Sequence, residues 1–83
     1  MRAHQAMSLK QFMLRREVIT LYKEMIQTCH RIPDKSTAKE MAEWVRADFR
    51  KNSTITDEAA IRMLISHGKQ SLKKLQTNIA IGR

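Results

Sequence analysis

Glycine occurs only twice and proline once in the 83 residues. With no β-rich runs either, collagen-like, linker-like and all-β architectures are excluded. No apolar stretch approaches the ~18–20 residues that cross a bilayer. Cysteine occurs once, as Cys29, so no internal disulfide can form. A secreted scaffold of this size would carry several bridges, and a reducing compartment is expected. Cys29, His4, His30 and His67 lack the paired spacing of a structural zinc site. Cys29 is read as a small, half-buried helical residue. Gly68 and Gly82 cannot build a phosphate-cradling loop, and each histidine lacks an acidic orienter nearby in sequence. No catalytic residue, metal ligand or resident cofactor is therefore assigned, and the chain is expected not to be an enzyme.

Acidic residues are scarce too. Eight Asp and Glu face sixteen Lys and Arg, a formal net charge of +8. The first acid is Glu17, after Arg2, Lys10, Arg15 and Arg16, and none follows Glu58. An acid-free basic start fits a mitochondrial import signal and equally the beginning of a helix. Hydrophobic residues at 42% and charged residues at 29% describe a folded chain rather than a disordered tail. So basic a surface repels itself and favours an acidic partner.

Three helical patterns are separated by two short breaks. The first runs from about Leu9 to His30, with Ser8 as its cap and Val18, Tyr22, Met25 and Cys29 on one stripe; Phe12, Ile19 and Ile26 step by seven beside it. Ile32-Pro33-Asp34 closes it. The second runs from about Ala38 to Lys51, opened by a capping box at Thr37–Glu40, with Met41, Ala42, Val45 and Phe49 inward. The third begins near Thr56 and carries Ile61, Leu64, Ile65, Gly68, Leu72, Leu75 and Ile79 at spacings of three and four, with Gly82 as its terminator. Short connections favour antiparallel neighbours. The expected fold is all-α, an elongated antiparallel three-helix bundle, with residues 1–83 as one domain and 1–8 as a flexible or targeting-like start. Its core is one layer deep, which is marginal for so short a chain.

The cations fall in rows. Lys39, Arg46 and Arg50 share a stripe on the second helix, Arg16 and Lys23 on the first, and Arg62, Lys69 and Lys73 on the third. Solvated faces show such rows too. Two acidic partners fit the excess. Nucleic acid is one, although a long last helix does not suit a helix-turn-helix and few aromatics are left for base stacking. An acidic protein held by Arg–carboxylate pairs is the other. Gly68 interrupts the apolar stripe of the third helix, either for close helix packing or as a gap that admits a slender apolar ligand.

Leu21-Tyr22-Lys23 on the first helix and Phe49-Arg50-Lys51-Asn52 on the second resemble the LYR-motif (complex-1-LYR) family of small mitochondrial proteins. Leu9-Lys10-Gln11-Phe12, Ile32-Pro33-Asp34, Asp48-Phe49-Arg50 and Ala60-Ile61-Arg62-Met63 extend the likeness from Leu9 to about Ile81. The resemblance implies a three-helix adaptor in the mitochondrial matrix, peripheral to the inner membrane when part of a complex. Its implied partner is the mitochondrial acyl carrier protein, whose acyl-phosphopantetheine arm enters between the helices; the adaptor brings no cofactor of its own. Its client would be a larger assembly, respiratory complex I above all, with the mitochondrial ribosome or its RNA as the alternative. The implied carrier contacts are Arg15, Lys23, Arg46, Arg50 and Lys51. Lys23 stands where the family motif has Arg, and Lys51 substitutes for a lysine that some relatives carry at the position of Ser53. The implied lining of the acyl chain is Val18, Leu21, Tyr22, Met25, Val45, Phe49, Ile61, Leu64, Ile65, Gly68 and Leu72.

Overall fold

The computed structural model describes residues 8–81. They form three helices, α1 (Leu9–Cys29), α2 (Lys35–Asn52) and α3 (Glu58–Ile81), with no strand among the described residues. The import-like start before Ser8 and the terminator Gly82 lie outside the described residues.

Each helix start is fixed by a side chain that satisfies orphan backbone donors. Ser8 caps α1: its Oγ accepts from the Gln11 N–H at 3.1 Å, and Gln11 Oε1 accepts from the Ser8 N–H at 3.2 Å, a reciprocal box. At the far end the Arg31 and Ile32 N–H groups turn back to the carbonyls of Thr28 and Cys29. Pro33 then bars further helix.

Two starts differ from the spacing-based expectation. α2 begins at Lys35 rather than Ala38, because Asp34 and not Thr37 is its cap. One Asp34 oxygen accepts from both the backbone N–H of Thr37, at 3.1 Å, and its hydroxyl, at 2.5 Å. A carboxylate placed directly after Pro33 outcompetes the hydroxyl for the capping role, and the expected Thr37–Glu40 box is replaced. α3 is capped by Asp57 rather than Thr56: the Asp57 carboxylate accepts from the Ala60 N–H at 3.0 Å. The Thr37 bonds hold the Asp34 carboxyl below the usual carboxylate range.

α1 is the central element. It runs antiparallel to α2 and parallel to α3, and packs against both, while the α2 and α3 backbones do not approach each other. The molecule measures 52 × 19 × 15 Å. Its interior is split in two. The larger cluster joins Leu21, Tyr22, Met25 and Cys29 of α1 to Ala42, Val45 and Leu72. The smaller joins Leu14 to Ile61 and Ile65, and the half-buried Val18 packs against both. Cys29 is fully buried rather than half-buried, at 0% exposure. Burial also pushes its thiol pKa up, opposed by the nearby Arg46.

No gap opens at Gly68. The missing side chain leaves a notch that the buried Leu21 fills: a Cβ added there would collide with one Leu21 methyl and lie 3.4 Å from its Cγ. Close packing of α1 on α3 is what this glycine provides.

Gly68→Leu is therefore expected to destabilise the isolated chain by about 1–3 kcal/mol through overpacking, measured by urea denaturation; an unchanged midpoint would show the notch to be open. The Asp34 cap has a pH signature. Its folded pKa is depressed, so its stabilising contribution is present above the unfolded carboxylate pKa and is lost as pH falls through the folded value. Asp34→Ala should lower the thermal midpoint near neutrality and flatten its decline in acid.

Candidate functional site

The face shared by α1 and α2 is organised by one tyrosine. Tyr22 is buried, and its ring meets Phe49 of α2 edge-on, with centroids 5.1 Å apart and planes at 65°. Its phenol donates to Asp48 Oδ2 at 2.5 Å. Burial, then this bond, push the Tyr22 pKa from 10.0 up to about 12, against a smaller lowering by Asn52. The phenol is therefore a neutral donor at physiological pH. A hydrogen bond to a charged acceptor contributes about 1.5–3 kcal/mol, and an edge-on aromatic pair about 0.5–1.5 kcal/mol beyond its burial.

Above this clamp lies a groove of about 340 Å³, inside the ~300–1,000 Å³ range of small-molecule sites. Its apolar surface comes from Ile19, Tyr22, Ile26 and Phe49, and its rim carries Lys23, Arg46 and Arg50. Ile19 and Phe49 also line a smaller cavity of about 60 Å³ with Arg15, Val18, Ser53, Ile55 and Ile61, where the end of α2 passes the start of α3. The two hollows make one apolar strip with Arg15, Lys23, Arg46 and Arg50 around it. The only ion pair among the described residues is Lys69–Glu17, at 3.2 Å on the other flank of α1. The rim cations thus have no acidic partner within the described chain.

The residues expected from the sequence separate into groups. Arg15, Lys23, Arg46 and Arg50 come together around the strip; Lys51 is exposed and borders neither hollow. Val18, Tyr22, Phe49 and Ile61 line the strip. Leu21, Met25, Val45 and Leu72 belong to the larger cluster instead, and Ile65 to the smaller. Leu64 is half-buried outside both, and Gly68 sits beneath Leu21. Ile19, Ile26 and Ile55 line the strip but are missing from the expected lining. The seven-residue step through Phe12, Ile19 and Ile26, set beside the core stripe, was the available signal for two of them.

A larger furrow of about 620 Å³ runs between α1 and α3. Its walls carry both signs, Glu17 and Glu24 facing Lys69 and Lys73, and the Lys69–Glu17 pair spans it. It lacks the one-signed rim of the α1–α2 groove. No cluster of three or more metal-ligating side chains occurs among the described residues, and no described helix is long and apolar enough to cross a membrane.

A small three-helix scaffold whose motif tyrosine clamps the first two helices under a ring of cations is the class this geometry defines. The family model described as Complex 1 protein (LYR family) matches residues 16–74, and the chain belongs to that family. It is 38% identical over 78 residues to LYR motif-containing protein 2 of Xenopus tropicalis, covering 94% of this chain and 90% of the relative. The human protein of that name is 38% identical over 77 residues, covering 93% and 88%. That of Danio rerio is 41% identical over 76 residues, covering 92% and 86%. No solved structure matches.

Tyr22 is the only tyrosine in the chain, so tyrosinate absorbance reports on it alone. Its titration should centre near 12 in the folded protein, and Asp48→Asn should move it part of the way back toward 10. Because the folded pKa is raised, Tyr22 stabilises fully below about pH 10, and that contribution is lost as pH rises toward about 12. A midpoint near 10 in the native protein would refute the clamp.

Proposed function

We propose that this protein is a non-enzymatic mitochondrial adaptor that binds acylated acyl carrier protein and supports assembly or function of respiratory complex I. The observation that carries the reading is the apolar strip ringed by Arg15, Lys23, Arg46 and Arg50, cations with no partner of their own among the described residues. Family membership and the Complex 1 description of the matching model support the client. The compartment is the mitochondrial matrix, with attachment to the inner membrane only through the larger assembly.

The rim supplies steering and orientation. Three guanidinium groups can each grip a carboxylate with a two-pronged hydrogen bond, whereas Lys23 offers a single rotatable point charge. The motif position held by lysine therefore contributes attraction more than geometry. The strip supplies affinity for an apolar chain, up to about 0.8 kcal/mol per buried CH₂. The carrier's acyl-phosphopantetheine arm crosses Ile19 and Phe49 and is received at Val18, where the two core clusters meet. A ligand bound at that joint only in the folded state stabilises it by linkage.

Reversing Arg46 and Arg50 together to Glu removes two charge-assisted contacts at about 1.5–3 kcal/mol each. Capture of acylated carrier by the purified double variant should fall at least about a hundredfold, with the far-UV circular dichroism unchanged. Undiminished carrier binding, coupled with loss of binding to ribosomal RNA, would transfer the basic face to the alternative partner.

A further inference from the structure

We propose that a carboxylate-bearing helix of the carrier lies lengthwise along α2, from the groove to the N-terminal turns, and that His30, Lys35 and Lys39 form a second docking dimple for this acidic helix. This inference rests on the carrier reading above and extends it to residues that reading does not use.

A separate cavity of about 270 Å³ opens where α1 hands over to α2. Its floor is apolar, from Ile32, Ala38 and Ala42, and its rim is His30, Lys35, Lys39 and Arg46. Arg46 is also a rim residue of the groove, so a single guanidinium belongs to both hollows and joins them into one band. Lys23, Lys35, Lys39, Arg46 and Arg50 along that band have no ion-pair partner among the described residues. Asp34 is the acid beside Lys35 in the chain, but its carboxylate is engaged with the Thr37 backbone and hydroxyl. Lys35 and Lys39 are also four residues apart on one helix, a like-charge pair that works against α2 in isolation. Such a pair is stabilised when opposite charge arrives from outside.

The shape selects the occupant. From the middle of the Ala38–Ala42 turn to the middle of the Arg46–Arg50 turn is eight residues, about 12 Å along the helix axis. A facing helix spans that distance in about two turns, so it can set one apolar side chain in the new dimple while its carboxylates reach the flanking cations. A free phosphate would occupy one hollow only and would leave the apolar floor of Ile32, Ala38 and Ala42 unused. The attachment point of the acyl arm therefore belongs at the groove end of α2, with the acidic helix running from there toward Lys35.

The test measures the affinity of the full chain for acylated carrier by calorimetry at fixed salt. Lys35 and Lys39 are exposed, so Lys35→Glu with Lys39→Glu leaves the fold intact and should weaken binding by about tenfold or more. Lys73→Glu with Lys74→Glu removes the same charge from α3 and should change affinity less than about twofold. If the α2 pair matters no more than the α3 pair, the footprint stops at the groove and the inference is overturned, while the carrier reading stands on the loss seen with Arg46→Glu plus Arg50→Glu. If all three pairs cost the same, the attraction is bulk charge and the lengthwise placement is wrong. If the groove pair also has no effect, the carrier reading fails and this inference with it.

Discussion

The bond from the Tyr22 phenol to Asp48, with the Phe49 ring set edge-on against the same tyrosine, is the contact on which the architecture turns. The α2 and α3 backbones make no approach to each other, so each is held chiefly through α1, with Leu72 of α3 sharing a side-chain cluster with Ala42 and Val45 of α2. For α3 that support is apolar along its length: Leu14 against Ile61 and Ile65 in the smaller cluster, then Leu21 over the Gly68 notch and beside Leu72 in the larger. For α2 it is a smaller apolar contact through Ala42 and Val45, reinforced by the polar clamp. The clamp also sets the groove, because it fixes how far Arg46 and Arg50 stand from Lys23. Fold and candidate site therefore share one cause.

Among the described residues the interior is divided into two clusters, with only Val18 packing against both. A short chain buries a lower fraction of its surface than a long one and has little stability to spare. Here the division falls beside the apolar strip. The rim adds a second tension, since Arg15, Lys23, Arg46 and Arg50 gather without an acid among the described residues to balance them. Both features would be complemented by one kind of neighbour, the acidic surface carrying something apolar that the proposed function calls for.

Periodicity made the three helices legible, because apolar stripes at spacings of three and four persist through every element. Helix ends were less so. Thr37 and Asp34 are both good capping residues three apart, and only the structure shows that the Asp34 carboxylate takes the cap while Thr37 donates to it through both its N–H and its hydroxyl. The same limit applies at Thr56 and Asp57. That Arg15, Lys23, Arg46 and Arg50 gather around one strip was readable through the motif, but which apolar residues border that strip was not. Leu21, Met25, Val45 and Leu72 have the same helical phase as residues that border the strip, and whether such a residue faces the closed cluster or the strip depends on how the helices are rotated about their axes. Ile19 illustrates the converse. At 44% exposure it lies off the core stripe and reads as an ordinary surface residue until Phe49 is seen beside it.

The complete enclosure of Cys29 has a use of its own. This sole thiol sits in the same cluster as Ala42 and Val45, at 0% exposure, with its pKa raised by burial. A sulfhydryl reagent reaches it only when the packing of the three helices around that cluster opens. The rate of alkylation is thus a built-in clock for that opening, and anything that seats across α1 and α2 should slow its ticking.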